Sequence, residues 1–179
     1  MSLLLAATVL VGALGGLNLV LLLGVIRRLR EHTEVLSHFQ IGKPLLEVGD
    51  RIADFATSTA HGQRLTSESL ASGTLVAFLS PTCGPCQEKA PELAAYARAL
   101  PDGPDQVLAV VVGADDEATE MVTRLSPVVT VATEGNGGPL SKAFAVQGFP
   151  TVLRVTRGDD GRLVVADNNV DLSPLPASA

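Results

Sequence analysis

Cys83-Gly84-Pro85-Cys86 holds the only two cysteines of the chain, three positions apart. An apolar run, Thr74–Ser80, precedes the pair, and a helix-like stretch, Gln87–Leu100, follows it. That order sets both thiols on the first turn of a helix leaving a buried strand. Backbone N–H groups on such a turn stabilise a thiolate, so Cys83, at the exposed helix start, is expected to be the nucleophile. Cys86, one turn deeper, is within reach to close a disulfide with it, and Gly84 and Pro85 set the turn between them. This is the layout of a dithiol that exchanges with disulfides.

Other uses of a cysteine pair fit less well. A structural zinc site takes about four ligands, commonly as two Cys or His pairs. Here there is one pair, and His32, His38 and His61 do not form a second. Covalent haem attachment requires histidine directly after the second cysteine, where Gln87 stands. A purely structural disulfide across so short a loop constrains almost nothing. No nucleotide, flavin or metal motif is present, so no cofactor and no metal are expected.

The elements around the pair divide the 179 residues into unlike parts. Ser2–Ile26 carries no charged side chain. As a helix, Leu3–Ile26 would span about 36 Å, enough to cross a bilayer with some tilt. A cleaved leader would show a basic start, a shorter apolar run and a small-residue cleavage site, and none of these is evident. Residues 1–26 are therefore predicted to be a transmembrane anchor. Asn18 is a single mid-span amide, and Gly12 and Gly16 have the GxxxG spacing that lets anchors pack. Residues 27–47, with Arg27, Arg28, Arg30, Glu31 and Glu34, read as a juxtamembrane stalk and linker.

The remainder suits one domain, expected over 48–167, with a loosely ordered tail over 168–179. From Val48 onward there are nine Lys/Arg and sixteen Asp/Glu. With that acidic balance, no tryptophan and one tyrosine, Tyr96, the chain offers nucleic acid neither a basic surface nor a stacking platform. The apolar runs 75–80, 107–112, 128–132, 151–155 and 163–166 are short and β-branched, and predict strands. The stretches 85–100, 115–125 and 140–145 predict helices, the second opening on Asp115, Asp116 and Glu117. Continuous apolar strands imply a sheet covered on both faces, and alternation with helices implies parallel neighbours. Arg157-Gly-Asp-Asp-Gly161 reads as a hairpin turn, making the last pair antiparallel. The fold class is α/β, with a mixed central sheet.

Val146-Gln-Gly-Phe-Pro-Thr151 precedes the fourth strand, and together with the CGPC pair it resembles the thioredoxin fold. The resemblance implies a three-layer sandwich and a cis proline, Pro150, packed against the disulfide. Gly148, Phe149, Pro150 and Thr151 would then hold an extended substrate segment by backbone hydrogen bonds. Val48-Gly-Asp-Arg-Ile-Ala-Asp-Phe55, the turn at His61–Leu65, the segment Thr66–Ser72, Pro91 and the long interval from Cys86 to Pro150 resemble the membrane-anchored, TlpA-like proteins of bacteria. The long interval fits an added strand–helix unit. Phe78-Leu-Ser-Pro-Thr-Cys83 looks most like the MauD-type accessory proteins of methylamine dehydrogenase maturation.

Departures from the pattern bear on mechanism. Thr82 stands where thioredoxin has tryptophan, Ala77 where it buries an aspartate, and Lys89 where many TlpA-like reductases carry glutamate. Glu88 is adjacent but points elsewhere on the helix. The acid that deprotonates the second thiol is thus not evident.

The resemblance implies exchange with client proteins bearing cysteine pairs, and a membrane electron donor or acceptor. It places the soluble domain on the extracytoplasmic face, whereas Arg27, Arg28 and Arg30 just after the anchor favour the cytoplasmic side. A non-catalytic, membrane-tethered chaperone or assembly factor is the competing expectation, motivated by the missing acid.

Overall fold

A computed structural model describes residues 46–101 and 103–172, together with Gly12 and Gly16, both helical. The chain divides into two units, Met1–His38 and Phe39–Ala179. Every strand among the described residues belongs to the second unit. Among the described residues no helix is long and apolar enough to cross a membrane. The anchor expected over 1–26, apart from the two glycines, and the stalk and linker expected over 27–47, apart from Leu46 and Glu47, lie outside them.

Strands β1 (Ala56–Ser58) and β2 (Arg64–Thr66) form an antiparallel hairpin. Then come β3 (Leu75–Leu79), α1 (Gly84–Ala99), a 3₁₀ turn (Gly103–Gln106), β4 (Val107–Val112), α2 (Asp115–Leu125), β5 (Thr130–Glu134), α3 (Pro139–Ala143), β6 (Thr151–Arg157) and β7 (Leu163–Asp167). The main sheet has the order β5-β4-β3-β6-β7. β3, β4 and β5 run parallel, joined by helical crossovers, while β6 and β7 are antiparallel. The mixed sheet follows directly from connection length, since parallel neighbours need a crossover and a tight turn gives an antiparallel one.

Side-chain alternation then builds two cores. Leu75, Ala77, Leu79, Val107, Ala109 and Val111 pack beneath Ala90, Leu93, Ala97, Met121 and Leu125 of α1 and α2. Val76, Phe78, Leu108, Val110, Leu153 and Val155 face the other way, against Ile52, Phe55, Leu140 and Phe144. Phe144 packs between the rings of Phe55 and Phe78, at centroid separations of 5.9 and 5.3 Å. A sheet buried on both faces is the three-layer arrangement expected, and explains why β3 and β4 are apolar at every position.

Both edges of the sheet are engaged. Ala60 donates to the Val131 carbonyl beside β5, and Thr59 bridges Ala132. On the far side, Gly49 and Ile52 donate to Val165 and Leu163 of β7.

Two sequence expectations need correction. The strand expected at 128–132 runs two residues later, as β5, because Val128 and Val129 donate to Leu125 and close the end of α2. The chain is not loose directly after Asp167. Asn168 Nδ2 donates to the Leu46 carbonyl, and Leu172 is buried against the helical core.

Candidate active site

β3 ends at Leu79, and Ser80-Pro81-Thr82 carries the chain to Cys83, the N-cap of α1. A proline in the first turn suits the helix start, because its missing N–H has no partner there. The Cys83 carbonyl accepts from Cys86 and Gln87 at 3.0 and 3.1 Å, and Cys83 Sγ accepts from the Cys86 N–H at 3.3 Å. The sulfur thus occupies the place a serine or aspartate oxygen takes in an ordinary cap. Cys83 and Cys86 form a disulfide, with Cα atoms 5.2 Å apart.

The expected exposed nucleophile is more enclosed than its place at a helix start implies. Cys83 retains 3% of its surface and Cys86 none. The cover is the loop before β6. β6 pairs antiparallel with β3, setting Thr151 opposite Phe78 and Val152 opposite Ala77. That register delivers Gly148, Phe149 and Pro150 to the end of β3 from which Cys83 departs. The Phe149 carbonyl oxygen lies 3.7 Å from Cys83 Sγ, and the Phe149–Pro150 peptide is cis. Thr151 Oγ1 donates to the Gly148 carbonyl at 2.7 Å, pinning the loop from within. All the residues singled out from sequence for this site therefore converge in space.

The surroundings of the pair are apolar. Ala77 is fully buried in the same core cluster as Cys83 and Cys86, and Lys89 bonds Glu92 at 2.9 Å. Thr82 is exposed, with its hydroxyl 3.3 Å from that of buried Ser80. Among the described residues no group of three or more His, Cys, Asp or Glu could hold a metal ion.

Two positioning features were not read from sequence. Gln87 Nε2 donates to the Pro81 carbonyl at 2.8 Å, tying the first turn of α1 to the approach loop. Glu134, buried at the end of β5, accepts from the N–H groups of Leu140 and Ser141 at 2.9 and 2.7 Å and from the Ser141 hydroxyl. This carboxylate caps α3, which leads into the Phe149 loop. Its signal was there: an acidic residue just before Gly-Asn-Gly-Gly-Pro139, ahead of a helix.

The family model described as Redoxin matches residues 47–171, and the chain belongs to that family. Among solved structures it is similar to a thiol:disulfide interchange protein from Bacteroides sp., at 14% identity over 70% of this chain and 83% of that one, with a TM-score of 0.55. A thio-disulfide isomerase from Thermus thermophilus matches at 17% identity over 70% and 89%, with a TM-score of 0.52. The thioredoxin domain of a thiol-disulfide oxidoreductase from Bacteroides vulgatus matches at 15% over 67% and 87%, also at 0.52. These likenesses show the thioredoxin-like fold. No curated protein matches. Redoxin membership, this fold and the Cys83–Cys86 pair define a thioredoxin-like thiol–disulfide oxidoreductase. The α2–β5 unit accounts for the long interval between Cys86 and Pro150.

Proposed function

We propose that this oxidoreductase is anchored in the cell membrane by residues 3–26, lies on the extracytoplasmic side, and exchanges disulfides with client proteins during their maturation. The observation that carries the reading is the Cys83–Cys86 disulfide at a helix N-cap, with the Phe149 carbonyl against its outer sulfur.

In the reducing direction, the Cys83 thiolate attacks one sulfur of a client disulfide. A Cys83–client mixed disulfide forms and the other client sulfur leaves as a thiolate. The Cys86 thiolate then attacks Cys83 Sγ, forming the intramolecular disulfide and releasing the second client thiolate. Two electrons have passed to the client. The same steps reversed oxidise a client dithiol. The helix-start N–H bonded to Cys83 Sγ favours that sulfur as leaving group and nucleophile. Gly148, Phe149, Pro150 and Thr151 align the client backbone beside it. Since loops and the hairpin engage both sheet edges, this loop is where an extended client strand best reaches the sulfurs.

Sustained turnover requires a membrane electron donor or acceptor. The resemblance to MauD-type proteins supports a maturation role, in which disulfides are made or sorted in a client enzyme. The outward orientation rests on where disulfides persist, against the basic cluster Arg27, Arg28 and Arg30.

Trapping tests the exchange reading. Cys86→Ser should accumulate mixed disulfides with clients, and Cys83→Ser should form none. A Cys83→Ser, Cys86→Ser double variant that still supports client assembly would favour the tethered-chaperone reading, which Lys89 in place of the usual glutamate motivates. Labelling of reduced Cys83 in intact cells by an impermeant thiol reagent tests orientation, and protection from the reagent defeats the outward assignment.

A further inference from the structure

A groove of about 100 Å³ opens between the first turn of α1 and α2, lined by Pro81, Gln87, Glu117, Glu120, Met121 and Arg124. It lies outside the carboxyl ends of the parallel strands β3 and β4, where ligands of α/β sheets commonly bind. One wall comes from residues that flank the cysteine pair in sequence. Pro81 is two residues from Cys83, and Gln87 is the residue whose side chain holds the Pro81 carbonyl.

The far wall is charged in one sense. Arg124 and Glu120 neutralise each other through an ion pair of 2.7 Å. Glu117 has no hydrogen-bond or ion-pair partner among the described residues. Its carboxylate and the Pro81 ring both border Gly113, where a built Cβ would be 3.8 Å from Glu117 Oε2 and 3.1 Å from Pro81 Cδ. Between these walls the buried Met121 offers an apolar floor. α2 as a whole carries four carboxylates, Asp115, Asp116, Glu117 and Glu120, against the single Arg124.

Resting on the exchange reading, we propose that this groove selects clients with a lysine or arginine near the reacting cysteine. The aliphatic stem of such a side chain would lie on Met121 and the Pro81 ring, and its cationic head would meet Glu117. Long basic side chains commonly divide themselves between apolar surface and charge in this way. Glu117 is exposed. The preference should therefore be modest, and should act mainly on productive encounter.

The test uses the full chain, reduced and held in detergent, reacting with three glutathionylated peptides. They are identical except for Arg, Ala or Glu three residues from the cysteine. Each turnover oxidises Cys83–Cys86 to its disulfide and yields free peptide thiol and glutathione. The second-order rate should be about threefold higher for the Arg peptide than for the Ala peptide, and lowest for the Glu peptide. The Arg-to-Ala ratio should fall to near unity in Glu117→Gln, invert in Glu117→Lys, and shrink as salt is added. Glu68→Gln, remote from the groove, should leave the ratio as in the wild type. That control separates local recognition from net charge. Equal rates on all three peptides overturn the inference and leave the exchange reading standing. Failure to reduce any of them sinks both.

Discussion

The Phe149 carbonyl oxygen faces Cys83 Sγ at 3.7 Å, across 66 residues of sequence. The pairing of β6 with β3 makes this meeting possible, because Thr151 stands opposite Phe78 at the end of the strand that delivers Cys83. The contact covers Cys83 only in part. Cys83 keeps 3% of its surface and Cys86 keeps none. In the reduced protein, limiting iodoacetamide should therefore alkylate Cys83 first, and Cys86 should react only at far higher reagent or on unfolding. Peptide mass spectrometry after a timed quench reads the order. Earlier labelling of Cys86 would exchange the two roles.

Glu134 should contribute more to stability than any other carboxylate among the described residues. Three donors converge on it, and the site is buried. Glu134→Ala strands two backbone N–H groups and the Ser141 hydroxyl, and should lower unfolding free energy by about 3 kcal/mol. Because α3 leads into the Phe149 loop, the exchange rate should fall as well. Chemical denaturation and a disulfide-reduction assay measure the two effects. A variant with an unshifted denaturation midpoint would remove Glu134 from this role.

Ala77 lies fully buried in the cluster that holds Cys83 and Cys86. Ala77→Asp would set an acid beneath the pair, where a proton acceptor for Cys86 is otherwise not apparent. A carboxyl group there has no ready partner, so stability should drop by about 2–4 kcal/mol. With Cys86 present, decay of the transient Cys83–client mixed disulfide should nevertheless quicken, because Cys86 would lose its proton more easily. Quenched-flow analysis of that decay decides the matter. Slower decay in a folded variant would mean that proton removal does not limit resolution in this protein.

The sequence told most where chemistry and periodicity coincided. The CGPC pair, the apolar strands on either side of it and the Phe149-Pro150-Thr151 segment were all legible, because each combines a hydrophobic run with a turn residue of fixed meaning. The β6–β7 hairpin was legible from Arg157-Gly-Asp-Asp-Gly161, whose Gly161 takes a φ of 76°. What escaped was set by tertiary contact. Two valines that look like strand instead close α2 by donating to Leu125. Leu172 looked like part of a polar tail, yet it is buried in the core cluster that includes α1, α2 and the sheet. The enclosure of Cys83 depends on a loop that local sequence cannot place. The hydrogen bond from Gln87 to the Pro81 carbonyl leaves no periodic trace, whereas Glu134 could have been found from its place just before the start of α3.

Three glycines near these features should respond to alanine in a graded order, set by space alone. At Gly138 a Cβ would lie 2.5–2.7 Å from Glu134. That side chain cannot withdraw, since three donors hold it. Gly138→Ala should therefore cost about 2–3 kcal/mol and loosen the α3 cap. At Gly113 the Cβ would stand 3.1 and 3.3 Å from the Pro81 ring, whose carbonyl is tied to Gln87. Gly113→Ala should cost about 1 kcal/mol, and its main effect should fall on exchange, because any shift of Pro81 is passed to Cys83 two residues on. At Gly135 nothing lies within 4 Å of a Cβ. Gly135→Ala should change stability by no more than about 0.5 kcal/mol. Denaturant midpoints for the three variants, with reduction rates beside them, test the ordering. If Gly113→Ala keeps full exchange activity while losing stability, the Pro81 loop does not set the position of the reacting sulfur.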